Sequence, residues 1–115
     1  MQTIKFSKNW NNKLDNDYFT TIRLYNKDKF DYYYNLFEKK EDVMILLNDK
    51  EKCIVKIVDI EVRLIRDIPD WSVMVDVGAD RMTFEKLMES MYSKQPEWNA
   101  NFTRMIILCL RKEVR

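Results

Sequence analysis

The stretch from Asp42 to Ile65 constrains the fold most. Asp42 to Leu47 carries the apolar run Val-Met-Ile-Leu-Leu, which reads as a buried strand. Asn48-Asp49-Lys50-Glu51 follows, a polar break with turn chemistry. Cys53 to Ile65 then alternates: Ile54, Val58, Ile60, Val62 and Leu64 define an apolar face, interrupted only by Lys56, while Asp59, Glu61 and Arg63 point the other way. Two such runs around a short polar break predict an antiparallel hairpin. Three further strands are expected around it. Thr3 to Phe6 is short. Tyr18 to Tyr25 is rich in β-branched and aromatic residues, with Phe19, Thr21, Arg23 and Tyr25 on one side and Thr20, Ile22 and Leu24 on the other. Phe102 to Leu110 is almost wholly apolar, as expected of a central strand covered on both faces.

Helical signals are fewer. Trp10 and Leu14, four apart in the polar stretch Ser7 to Asn16, fit one short turn. Asp28 to Lys40 reads two ways, since Phe30, Tyr33, Tyr34 and Phe37 follow the helical period yet favour strands by type. A short helix or irregular turn near Asp28 to Tyr34 is the preferred reading. Asp67-Ile68-Pro69 closes the long strand, and Asp70 to Val77 is expected to be a short helix with Trp71, Met74 and Val75 inward, capped by Gly78. Thr83 is placed to N-cap the next helix, with Phe84, Leu87, Met88, Met91 and Tyr92 on one face. Ser93 to Ala100 is a loop. The expected class is α+β, mainly β: one domain over residues 1–115, a small closed or half-closed barrel with helices packed on one side.

Composition excludes several chemistries. The 115 residues are 46% hydrophobic and 34% charged, a globular balance. With no His, there are no Ser-His or Cys-His nucleophile pairs and no His ligands. The single glycine, Gly78, excludes a glycine-rich phosphate loop. Cys53 and Cys109 lie within apolar runs, which favours buried free thiols over a disulfide or a zinc site. No metal and no cofactor is expected. The start of the chain has no apolar stretch resembling a signal peptide, and the longest apolar run is Met105 to Leu110, against roughly 18 residues for a membrane span. A cytoplasmic location is expected.

The net charge of +1 hides an uneven distribution. Lys5, Lys8, Lys13, Arg23 and Lys27 stand against Asp15 and Asp17 in the first 27 residues. Asp67, Asp70, Asp76 and Asp80 form an acidic stretch without a base, and Arg104, Arg111, Lys112 and Arg115 end the chain against Glu113. A basic groove with Trp10 and Tyr18 would suit a phosphate backbone and a stacked base; ordinary solvated faces explain the same pattern. Thr20-Thr21-Ile22-Arg23 is the second concentration, two hydroxyls and a guanidinium on one strand.

Trp10, Leu14 and Thr21-Ile22-Arg23, then Ile57-Val58, Ile65-Arg66-Asp67-Ile68, Asp80 to Leu87 and Met91-Tyr92 follow in an order that resembles ASCH domains, a branch of the PUA-like barrels. The Met-Thr-Phe-x-x-Leu and Met-Tyr pieces are most similar to small bacterial acetylcytidine amidohydrolases. The resemblance implies a barrel of about six strands with two or three short helices and a cleft beside the Thr-Ile-Arg strand. It implies binding of RNA or modified nucleosides. In the amidohydrolase branch a Lys acts as base, a Thr as nucleophile and a Glu as proton carrier. Thr21 and Asp80 fall at the Thr and Glu positions, and Tyr18 at the Lys position. Tyrosine is a weak base at neutral pH, its reference pKa being about 10, so binding is the preferred reading. The expected ligand-binding set is Trp10, Lys13, Tyr18, Thr21, Arg23 and Asp80. The alternatives are hydrolysis of an acylated nucleoside and a non-catalytic protein-interaction domain.

Overall fold

In a computed structural model of the chain, the description covers residues 1–69, 73, 80–96, 98 and 102–113, apart from the side chains of Trp10 and Asn11. The hairpin forms as expected, from β3 (Val43–Leu47) and β4 (Lys50–Leu64). Leu47 pairs with Lys50, so the loop is the two residues Asn48 and Asp49. Both have positive φ, 52° and 66°. Asn and Asp tolerate this region better than other non-glycine residues, and two-residue hairpin loops with right-handed twist require it.

The long strand departs from simple alternation. A β-bulge between Ile57 and Asp59 leaves Val58 as an extra residue opposite the strand Arg104–Lys112. The inward parity changes there: Val55 and Ile57 are buried before it, and Ile60 and Val62 pack onto the same cluster after it. The single apolar face expected from Ile54 to Leu64, interrupted only by Lys56, is therefore corrected, because one inserted residue moves every later side chain to the opposite face. A second shift, between the pairs of Ile45 and Leu46, leaves Lys52 unmatched.

β1 (Gln2–Phe6), β2 (Tyr18–Leu24) and β5 (Arg104–Lys112) complete a five-stranded sheet of order β1-β3-β4-β5-β2. β1 runs parallel to β3, and all other pairs are antiparallel. β5 is an interior strand between β4 and β2, and its residues bury in two directions. Ile106, Leu108 and Leu110 join Ile4, Phe19, Val43, Ile45 and Leu14 in one cluster; Met105 and Ile107 join Ile22, Leu24 and Ile65 in another.

The helices cover these two faces separately. α1 (Lys27–Glu38) puts Tyr33 and Leu36 into the first cluster. It is longer than the short element expected near Asp28 to Tyr34. Asn26 caps it, accepting from the backbone N–H of Asp28 and Lys29, and burial of the aromatic face on the sheet overrides the strand preference of the individual residues. α2 (Arg81–Tyr92) puts Phe84 and Met88 into the second cluster. Its N-cap is Asp80, whose carboxylate accepts from the Thr83 N–H at 2.8 Å. Thr83 thus donates its backbone N–H and is not the cap. The Arg81 guanidinium donates to the carbonyls of Ile65 and Ile68, tying α2 to the 3-10 turn Ile65–Asp67.

The expected placement of the helices on one side is therefore corrected to opposite faces. The described residues form a mixed α+β fold, mostly strands, with five strands and two α-helices. The backbone ladder is open: β1 and β2 are its edges, so barrel closure by strand pairing does not occur among the described residues. Val73 is buried in the second cluster; the helix expected over Asp70 to Val77, with Trp71, Met74, Val75 and the Gly78 cap, otherwise lies outside the described residues. Cys53 and Cys109 are free and half-buried. No described helix is long and apolar enough to cross a membrane.

Candidate functional site

The two open edges of the sheet approach each other without pairing, and the site lies in the seam between them. The 3-10 turn Trp10–Asp15 carries the chain from β1 to β2. Leu14 anchors it in the core, and its backbone N–H donates to the Asn9 side chain at 2.9 Å. This brings Lys13 under the β1 edge, where its ammonium lies 5.4 Å from the centre of the Phe6 ring. Phe6 packs edge-on against Phe19 of β2.

Arg23 staples the seam. Its Nη2 donates to the Lys5 carbonyl oxygen at 2.8 Å, and its Nε donates to Thr21 Oγ1 at 3.3 Å. The guanidinium also stacks 4.7 Å from the Phe6 ring centre. One planar cation thus joins both strand edges, as its fork of donors permits. A second edge carbonyl, that of Thr3, accepts from the Tyr32 hydroxyl at 3.2 Å. These bonds occupy acceptors that would otherwise template another strand.

A cavity of about 110 Å³ opens at this seam. Lys5, Ser7, Lys8 and Lys13 line it from the first edge, Thr21 and Arg23 from the second, and Met88, Met91 and Tyr92 of α2 form the third wall. Four cationic side chains therefore meet there, and no carboxylate lines the cavity among the described residues. Lys13 and Thr21 are almost wholly buried, at 3% and 4% exposure. Cations concentrated in a cleft with low-dielectric walls focus a positive potential there. Hydroxyl donors and an ammonium with a guanidinium are the groups that hold phosphate or carboxylate oxygens.

Of the residues expected at a site, Lys13, Thr21 and Arg23 come together here. Tyr18 does not line the cavity. It is 60% exposed and pairs in register with Arg111. Asp80 is also absent from the lining. Its carboxylate is committed to capping α2, and the Thr83 N–H holds it below the usual carboxylate range. The Trp10 side chain lies outside the described residues. Sequence reading passed over Ser7 and the wall from α2. Met88, Met91 and Tyr92 carry the same helical period as core residues, and nothing local distinguishes the turn of helix that meets the seam.

Two larger depressions lie elsewhere. One, of about 430 Å³, runs beside the Val58 bulge and is lined by Phe37, Lys40, Lys56 and Arg111 among others. Two of its three cations are engaged: Lys56 pairs with Asp42 at 2.7 Å and Glu113 at 3.5 Å, and Arg111 pairs with Glu113 at 3.2 Å. The other, of about 310 Å³, lies where β2 ends and β5 begins. Among the described residues no group of three or more Cys, Asp or Glu is arranged to hold a metal ion. The thiols of Cys53 and Cys109 are pushed up by burial, which keeps them protonated and poorly nucleophilic at neutral pH.

No protein-family model matches the chain, and no curated protein matches it. Among solved structures, the fold is similar to the crystal structure of protein EF3133 from Enterococcus faecalis V583, which bears the family designation DUF984. The TM-score is 0.59 at 11% sequence identity, over 100% of this chain and 76% of that one. At that identity the likeness concerns the fold alone.

Proposed function

We propose that this chain is an RNA- or nucleotide-binding domain of the ASCH/PUA-like type, with the seam as the mouth of a barrel closed by side chains. The observation that carries this reading is the convergence of Lys5, Lys8, Lys13 and Arg23 on one cavity. Its size sets what enters. Whole small-molecule ligands occupy pockets of roughly 300–1,000 Å³, while an apolar cavity of about 150 Å³ holds one benzene ring. A space of about 110 Å³ accepts a phosphate or the edge of one ring. The rest of the ligand then lies outside, along Met91 and Tyr92. Thioether and phenol side chains there adapt to a planar group.

Titration of short single-stranded RNA at two salt concentrations tests this. Affinity falls with salt, and Lys13→Met weakens binding and lowers the salt slope by about one. Lys13 is the cleaner variant because Arg23 also staples the fold, and methionine comes near the lysine side chain in volume. Absence of binding to both RNA and nucleoside monophosphates at low salt overturns the reading.

A second reading is hydrolysis of an acylated nucleoside. It rests on Thr21 sharing the cavity with Lys13, since a threonine hydroxyl needs a neighbouring base to become a nucleophile. The Asp80 carboxylate, ionised and bonded to its own helix, is poorly suited to carry the proton. Deacetylation of acetylcytidine that Thr21→Val abolishes supports this reading; no turnover removes it.

A further inference from the structure

β2 does not end its chemistry at the seam. Tyr25 lies two residues beyond Arg23 and continues the pairing with β5, its N–H donating to the Arg104 carbonyl at 3.0 Å. Two residues of extended chain span roughly 6.6 Å, which is close to the step between nucleotides of an extended single strand. Beside Tyr25 is the cavity of about 310 Å³, lined by Tyr25, Asn26, Lys27, Phe102 and Arg104.

Among the described residues its lining combines two rings with two cations and contains no carboxylate. Arg104 stacks on Tyr25, the guanidinium carbon 4.3 Å from the ring centre. Arg66 stacks on Phe102 at 4.8 Å, and yet Phe102 remains 58% exposed. A phenylalanine held in the open by a guanidinium is a ready platform for a planar ring. Lys27 bonds Asp31 at 2.7 Å, but both side chains are largely exposed. Such a surface pair contributes little, and a phosphate can displace the carboxylate.

We propose that this cavity is a second contact for a single-stranded nucleic acid whose neighbouring phosphate occupies the seam. One base stacks on Phe102, and its phosphate meets Arg104 and Lys27. This rests on the nucleic-acid reading above and extends it from a one-phosphate pocket to a track of successive nucleotides. Stacking on an exposed ring needs an unpaired base, so the proposal selects single strands over duplex.

The test is fluorescence anisotropy of the full chain with labelled eight-nucleotide oligouridylate and oligodeoxythymidylate, each also as a duplex. The variants are Phe102→Ser, Arg104→Gln and Lys13→Met, checked for folding by circular dichroism. Phe102 is exposed, so its replacement leaves the fold intact. The expected result is about a tenfold rise in Kd for Phe102→Ser, the lower range of one lost base stack. Arg104→Gln lowers the salt slope by about one. Single strands bind more tightly than duplexes, and the ribo and deoxy arms report whether the 2′-hydroxyl is read. If Lys13→Met weakens binding and Phe102→Ser does not, the second contact is overturned and the seam stands. If only Phe102→Ser acts, the seam reading falls, and with it the track that joins the two cavities. No binding to any oligonucleotide overturns both.

Discussion

Removing the Arg23 side chain tests whether the seam is held by a single cation. The charge-assisted bond to the Lys5 carbonyl is short at 2.8 Å but exposed, so it contributes about 1 kcal/mol, below the ordinary range for a charged donor. The bond to Thr21 Oγ1 is long at 3.3 Å and partly buried, contributing about 0.5 kcal/mol. Stacking over Phe6 at 4.7 Å adds about 0.5 kcal/mol at such a site. Water can replace the guanidinium at the Lys5 oxygen, so no orphaned acceptor adds to the cost there. Arg23→Ala is therefore expected to destabilise the fold by about 2 kcal/mol. This shifts a urea midpoint by about 1 M for an m-value near 2 kcal/mol/M, with m unchanged. Arg23→Lys keeps the charge but cannot reach two acceptors, and it should lose most of the same stability. A midpoint for Arg23→Ala within about 0.2 M of the wild type would refute the stapling argument. The two sheet edges would then be held by packing of Phe6, Phe19 and Leu14 alone.

Three further outcomes follow from the fold. Asp80→Ala removes the cap of α2 and lowers the thermal midpoint, whereas Asp80→Asn retains most of the cap. Because the folded carboxylate is held below its ordinary value by the Thr83 N–H, its contribution is present above the unfolded pKa and lost as pH falls through the folded one. A wild-type midpoint that drops in acid no more than that of Asp80→Asn contradicts this. The thiols behave in the opposite sense: burial raises both above 9.0, so native Cys53 and Cys109 should react with a thiol reagent at pH 8 more slowly than in urea, and their protonated state favours the fold until pH rises past the unfolded pKa. Fast native labelling at both positions speaks against their burial. At the bulge, Ile57→Asp should abolish the folded circular dichroism signal and Val58→Asp should leave it, although the two are adjacent in one apolar run. Equal effects would place the bulge elsewhere.

How far the fold and site were legible differs by element. The hairpin turn was readable because Asn48 and Asp49 are residues that accept positive φ. The interior position of β5 was readable because its side chains are apolar in both directions, although the middle strand is β4. The extent of α1 was not, since Tyr33 and Phe37 suit either element and only burial on the sheet decides. The face of β4 was misread for a related reason: the bulge at Val58 arises from register against β5, and no local residue marks it. At the site, Thr21 and Arg23 stood out as a hydroxyl and a guanidinium on one strand. Lys13 was one of several basic residues, and its burial beside Phe6 depends on where Leu14 anchors the turn. Tyr18 and Asp80 had residue types suited to a site, but strand parity and helix capping turned them to other work.

By itself the sequence determined the local elements, the absence of imidazole and glycine-loop chemistry, and the presence of enough cations near the start of the chain to meet an anion. These depend on residue type and on periods of two or 3.6 residues, which neighbours along the chain impose. Only the tertiary structure decided that the two sheet edges stay unpaired, that one arginine bridges them, and that a buried lysine faces the gap. Those features join residues from β1, β2 and α2 across long sequence separations. Their geometry comes from packing and register, which act through space and leave no periodic trace in the chain.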